Sequence, residues 1–187
     1  MQAETAVVTS FPKTSTLEDG LTICVRPLEA SDEEALLAFF RAIPEEERYW
    51  LREDVSDPAV IRQWVADLDY SHVLPLVAMH DEAIVADATL HRRGHGARQY
   101  LGEIRLVVTP AYRGRGLGYL LITELIEVAQ GEGLERLEAE IVSGAQAPAM
   151  EAVGLIGFER AAVLPNHLRG PHGDHHDLFI FTYPLQE

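Results

Sequence analysis

One cysteine, Cys24, is present in 187 residues, which excludes an internal disulfide and a thiolate metal cluster. It sits in the strand-like run Leu21-Thr22-Ile23-Cys24-Val25, with nothing nearby to lower its pKa, and reads as a small buried hydrophobe rather than a nucleophile. No apolar run approaches the roughly 18–20 residues that cross a bilayer. Residues 1–20 lack a basic start followed by an apolar block, so they do not read as a secretory signal but as an arm, frayed or draped over the domain. Basic residues are also few: 15 Lys and Arg stand against 30 Asp and Glu, a formal charge of −15. That balance argues against nucleic acid and anionic membrane surfaces and favours cationic or neutral partners. The lone thiol is compatible with a reducing cytoplasm. Repeats, low-complexity tracts and Pro/Gly linkers are missing too. Residues 21–187 therefore read as one domain, and a 47% hydrophobic content is enough for a core.

The scarce positive charge is concentrated. Arg92, Arg93, Arg98, Arg105, Arg113 and Arg115 are six of the 15 basic residues, with Glu103 the one carboxylate among them. An acidic chain with one arginine-rich segment has somewhere to put an anion.

Leu21 to Arg26 reads as a first strand. Ser31-Asp32-Glu33-Glu34 is a capping box before Leu36, Leu37, Phe39 and Phe40. Asp57-Pro58 supplies an N-cap and an N1 proline to a second helix. Leu74 to Met79, Ile84 to His91 and Tyr100 to Val108 read as a three-strand meander. Leu117 to Gln130 carries an apolar stripe of helical period and ends at Gly131 and Gly133. Leu137 to Val142 is a strand and Pro148 to Leu155 a short helix. Phe158 to Leu164 and Asp177 to Tyr183 are closing strands. The order predicts an α/β fold of mixed α+β type: a central mixed sheet of about six to seven strands with helices on both faces.

The most informative stretch is Val107-Val108-Thr109-Pro110-Ala111-Tyr112-Arg113-Gly114-Arg115-Gly116-Leu117-Gly118. A strand runs into a glycine-spaced loop that runs directly into a helix. The first N–H groups of a helix have no internal partner, and the helix dipole makes that end positive. Glycines let an anion approach the backbone, and arginines add forked donors. No Gly-Lys-Ser/Thr follows, so the loop is not a Walker sequence. The third glycine comes two residues after the second, not three, so it is not the dinucleotide fingerprint either. A phosphate cradle is the expectation.

Arg113-x-x-Gly116-x-Gly118 resembles the Arg/Gln-x-x-Gly-x-Gly/Ala motif of the GNAT superfamily of N-acetyltransferases. Over about residues 20 to 184 the order of elements is similar too, as is Gly157-Phe158 after the last helix. The resemblance implies acetyl-coenzyme A as co-substrate, its pyrophosphate on Arg113, Gly114, Arg115, Gly116, Leu117 and Gly118. It also implies that strands 100–108 and 137–142 splay apart, with the pantetheine arm against the main chain of Leu106, Val107 and Val108. The acceptor it implies is an amine: a protein lysine or N-terminus, a polyamine or an aminoglycoside. A longer acyl donor, a homodimer and a non-catalytic acyl-coenzyme A sensor stay open.

An amine with pKa ~10.4 is helped by a base near pH 7. Glu103, ten residues before Arg113, stands where several GNAT enzymes carry a base, and an apolar strand would raise its pKa. Its other reading is an ion pair with Arg105 or Arg98 at the sheet rim. His91 and Asp87 are reserves. The tyrosine that many relatives use as acid is replaced by Val153, and the asparagine that often opens that segment by Gln146. The His-rich stretch 166–176 reads as a mobile loop shaping the acceptor site, not as a metal centre.

Overall fold

The computed structural model describes residues 10–185. Val73–His80 (β3) is apolar up to its last residue and Ala83–Arg92 (β4) is apolar over its first four, because both faces of these stretches are covered. They lie inside one eight-stranded sheet. Before them come Lys13–Thr16 (β1) and Thr22–Pro27 (β2). After them come Leu101–Val108 (β5), Arg136–Val142 (β6), Glu159–Arg169 (β7) and His175–Pro184 (β8). The order across the sheet is β1-β2-β3-β4-β5-β6-β8-β7. Every neighbouring pair is antiparallel except β5 and β6.

The sheet has one strand more than the sequence led us to expect. Lys13–Thr16, placed in the arm, pairs along β2 as an edge strand. Its Lys13 ammonium also bonds Glu124 and Glu127 on the far helix.

Helices cover both faces. Glu33–Arg41 (α1), the short Glu45–Arg48 (α2) and Pro58–Ala66 (α3) lie on one side, where Leu36, Phe39, Phe40, Ile61 and Val65 pack with Val77 and Ile84. Leu117–Gly131 (α4) and Ala147–Ile156 (α5) cover the other, where Leu121, Leu125 and Val153 meet Leu76, Ala86, Ala88 and Leu90. Asp57 caps α3 as expected, accepting the Ala59 N–H at 2.8 Å. The first helix is entered differently. Asp32, not Ser31, does the work: its carboxylate accepts the Glu29 N–H at 2.8 Å and holds the Arg26 guanidinium at 2.6 and 2.7 Å.

One feature of the sheet positions the site. β5 and β6 pair only over Leu101–Glu103 and Arg136–Glu138. Past that point they diverge, so the edge of β5 at 104–108 that faces β6 has no strand partner.

Candidate active site

Two glycines shape the loop between β5 and α4. Gly114 (φ +68°) and Gly116 (φ +85°) are left-handed, a conformation other residues adopt at a cost. A Cβ there would meet no atom, so conformation and not crowding selects glycine. Gly116 is the N-cap of α4 and no side chain caps it. The N–H groups of the first turn are thus left for an outside acceptor. Gly118 serves close packing instead: a Cβ would lie 3.0 Å from Leu106 Cδ2 and 3.5 Å from Ala152 Cβ. A cavity of about 480 Å³ lies over the loop, lined by Leu106, Val107, Val108, Arg113, Gly114, Gly116, Leu117 and Gly118.

The two arginines are placed otherwise than expected. Arg113 turns its guanidinium inward: Nε donates to the Val108 carbonyl at 2.9 Å, Nη1 and Nη2 to Glu47 at 3.0 and 2.5 Å. It buckles the loop to α2. Arg115 donates to Asp19 at 2.9 Å and lies over the Tyr112 ring, 5.6 Å from its centroid, and it does not line the cavity. Both partners are far away in sequence, so the spacing of the loop gave no sign of them.

A second chamber, of about 750 Å³, opens on the α1–α3 face of the sheet. It shares Leu106, Val107, Gln146 and Ala149 with the first cavity, so the two meet where β5 and β6 part. Alternate residues of β4 and β5 form its floor in opposed pairs: Asp87 with Val107, Thr89 with Arg105, His91 with Glu103.

Glu103 forms the ion pair that was its other reading, and a second besides. Oε1 accepts from Arg105 Nε at 2.9 Å and from Arg52 Nη2 at 2.6 Å, and Arg52 also reaches Glu140 at 2.8 Å. Burial pushes the carboxyl up, but the Arg105 hydrogen bond and the two positive charges outweigh it, and the net shift is downward. The expected raised pKa is overturned first by Arg105, two residues along the strand, and then by Arg52, which arrives from a distant segment.

His91 is pushed down to about 4 by burial, then by the charge of Arg105, so it is neutral near pH 7. Its Nε2 lies 2.9 Å from Thr89 Oγ1. Asp87 behaves in the opposite sense. It is 8% exposed and burial alone raises it to about 7. It has no hydrogen-bond or ion-pair partner among the described residues.

Val153, in the tyrosine slot, is buried in the core. Gln146 accepts the Val142 N–H at 2.8 Å, closing the turn from β6 into α5. Most of the His-rich stretch is strand, not loop: β7 and β8 run on to Arg169 and His175, leaving a tight turn between them. Its end folds over the chamber. Tyr49 Oη donates to the Arg169 carbonyl at 3.0 Å, and the Trp50 and His176 rings meet at 4.8 Å. Among the described residues no three His, Cys, Asp or Glu side chains gather as a metal site.

The family profile described as Acetyltransferase (GNAT) family matches residues 33–158. An acetyltransferase of Pseudomonas aeruginosa is 26% identical over 127 residues, 65% of this chain and 67% of its own length. The GNAT domain of PAT from S. lividans superposes with a TM-score of 0.76 at 20% identity, covering 92% of this chain and 96% of that one. YncA of Salmonella typhimurium, solved with its cofactor acetyl-CoA, gives 0.72 at 21%, over 88% and 95%. The ribosomal-protein-S5-alanine acetyltransferase of Vibrio fischeri gives 0.78 at 13%, over 94% and 98%. At these identities the structural likeness establishes the fold. No helix among the described residues is long and apolar enough to cross a membrane.

Proposed function

The chain belongs to the GNAT acetyltransferase family, and from that premise we propose that it acetylates an amine directly from acetyl-coenzyme A. The observation that carries this is the meeting of two cavities at the β5–β6 divergence, one headed by an uncapped helix N-terminus and the other floored by carboxylates. The residues fit the co-substrate. Backbone N–H groups of residues 114–118 would hold its pyrophosphate, with no capping side chain to compete, and the helix dipole would favour its charge. The free edge of β5 at Leu106, Val107 and Val108 offers main-chain groups to the amide-bearing pantetheine arm. Acetyl-coenzyme A supplies an activated acetyl thioester, whose thiolate, pKa ~8.5, leaves without a dedicated acid; that agrees with Val153 in the tyrosine slot.

In this proposal Arg113 fixes the loop and Arg115 adds exposed positive charge. Glu103 holds Arg52 and Arg105 in place. As a base it would have to give up two guanidinium partners to take a proton, so we give it the positioning part and test the other below. The reducing cytoplasm is retained as the working compartment.

A second proposal, an acyl-coenzyme A sensor without chemistry, is favoured by Val153 alone. Thermal shift with acetyl-coenzyme A, followed by thiol release over a panel of amines, separates the two. A thermal shift with acetyl transfer is expected. A thermal shift with no thiol release from any amine supports the sensor, and no thermal shift removes both.

A further inference from the structure

Across β3, β4 and β5 one row of side chains on the α1–α3 face of the sheet reads Val77, Asp87, Val107. Both valines pack with the α1–α3 core. Asp87 between them is buried, lines the chamber and has no partner among the described residues. Packing alone calls for an apolar residue there, and a buried, unpaired carboxylate weakens a fold. Its natural complement is a cation that comes from outside the chain.

We propose that the chamber takes a primary amine borne on a small apolar body, and that Asp87 grips its ammonium group and accepts its proton. The other carboxylates of the chamber already have donors, Asp67 from Gln63 and Asp69 from Ser71 among them, while Arg169, at its rim, makes no side-chain hydrogen bond or ion pair among the described residues. Arg52 and Arg105 are bound to Glu103, Arg52 also to Glu140, and Glu53 accepts from Trp64 Nε1 at 3.2 Å. His91 is neutral near pH 7.

The rest of the chamber describes the body of the acceptor. Leu36, Phe40, Leu51, Trp64 and Leu68 line it, and its volume of about 750 Å³ is that of a site for one small molecule. The Tyr49–Arg169 bond and the Trp50–His176 contact lie at its rim and narrow it, which favours a small acceptor over a peptide chain. A polyamine fits less well for a different reason: the chamber's other carboxylates, Glu53, Asp67, Asp69, Glu103 and Glu140, already accept from donors of the chain, so each further ammonium group would have to compete for them.

Asp87 lies opposite Val107, one strand spacing of about 4.8 Å from the free edge of β5. At the buried Asp87, set between Val77 and Val107, both charged forms are disfavoured, so the proton shifts from the ammonium to the carboxylate, leaving neutral amine and neutral acid. The freed lone pair then forms the C–N bond as the thioester C–S bond breaks. The surplus proton on nitrogen leaves with the coenzyme A sulfur, and Asp87 returns its own proton to water.

The inference rests on the acetyltransferase function proposed above. Its test is calorimetric titration, with and without coenzyme A, of an arylalkylamine, an alkylamine, spermidine and a lysine-containing peptide, on wild type and Asp87→Asn. The apolar monoamines should bind at least ~10-fold tighter than the polyamine or peptide. Asp87→Asn should lose about tenfold or more in amine affinity and ~10²–10⁴ in kcat/KM, with the thermal shift by acetyl-coenzyme A unchanged. Preference for peptide or spermidine, or an Asn variant that binds and turns over amines normally, overturns the proposal while leaving the acetyltransferase function standing. Failure of wild type to bind acetyl-coenzyme A overturns that function itself. If the variant does not fold, the wild-type preference among the four amines decides.

Discussion

Replacing Asp87 by Asn should make the protein more stable, and increasingly so as pH rises. Asn keeps the shape of the side chain and cannot ionise. The fold holds the Asp87 carboxyl at about 7 against 3.8 for the free group. At ~1.4 kcal/mol per pH unit that gap corresponds to ~4 kcal/mol, an upper figure for the whole effect. Below about pH 4 the carboxyl is protonated in both states and costs nothing. Between about 4 and 7 the unfolded chain releases the proton while the fold retains it, so wild-type stability falls. Above about 7 both states are ionised and the full penalty stands. Urea unfolding, followed by the fluorescence of Trp50 and Trp64 at pH 5 and pH 8, measures this. The advantage of the variant over wild type should widen by ~3 kcal/mol between the two pH values. A constant difference would show that Asp87 is satisfied in the fold, and would remove the reason to give it a ligand.

Substitutions at four further positions probe the rest of the site. Gly116→Asp should abolish the thermal shift caused by acetyl-coenzyme A, whereas Gly116→Asn, which bears the same left-handed strain without the charge, should keep much of it; equal losses would mean strain and not anion repulsion. Arg113→Ala strands Glu47 and the Val108 carbonyl and should cost ~1–3 kcal/mol and a Tm loss of several degrees. Arg115→Ala, at an exposed pair, should change cofactor KM by less than about threefold; the reverse order of effects in titration and kinetics would return the anion to Arg115. Glu103→Gln should lower kcat by less than about tenfold near pH 7, while a loss of ~10²–10⁴ that shrinks as pH rises would make Glu103 the base after all.

Elements with strong period were legible in the sequence. The apolar runs of β3 and β4, the stripe of α4 and the Asp57-Pro58 start of α3 all lie within a residue or two of their expected places. Lys13–Thr16 was missed because four polar residues at an edge carry no apolar alternation, and partnership with β2 supplies the strand. The end of β7 was missed because the His-rich stretch from Asn166 on read as a loop. Pro165, Asn166 and His167 occupy an irregular stretch where the pairing shifts between Leu164 and Leu168 and Asn166 takes φ +50°. At the site, glycine spacing pointed to the cradle, since it reports local backbone geometry. The partners Glu47, Asp19 and Arg52 come from 66, 96 and 51 residues away, and no local pattern encodes them. Asp87 did leave a signal: one carboxylate in the otherwise apolar run Ala83-Ile84-Val85-Ala86-Asp87-Ala88.

Transfer itself can be watched at the reacting carbon. The protein is incubated with acetyl-coenzyme A carrying ¹³C in its carbonyl, first alone and then with an arylalkylamine, and the carbonyl resonance is followed. A thioester signal unchanged by protein alone should give way, once amine is added, to an amide signal on the small molecule matched by an equal amount of free thiol. A thioester that persists with every amine offered, or label that moves onto the protein before any amine is present, would contradict direct acetyl transfer.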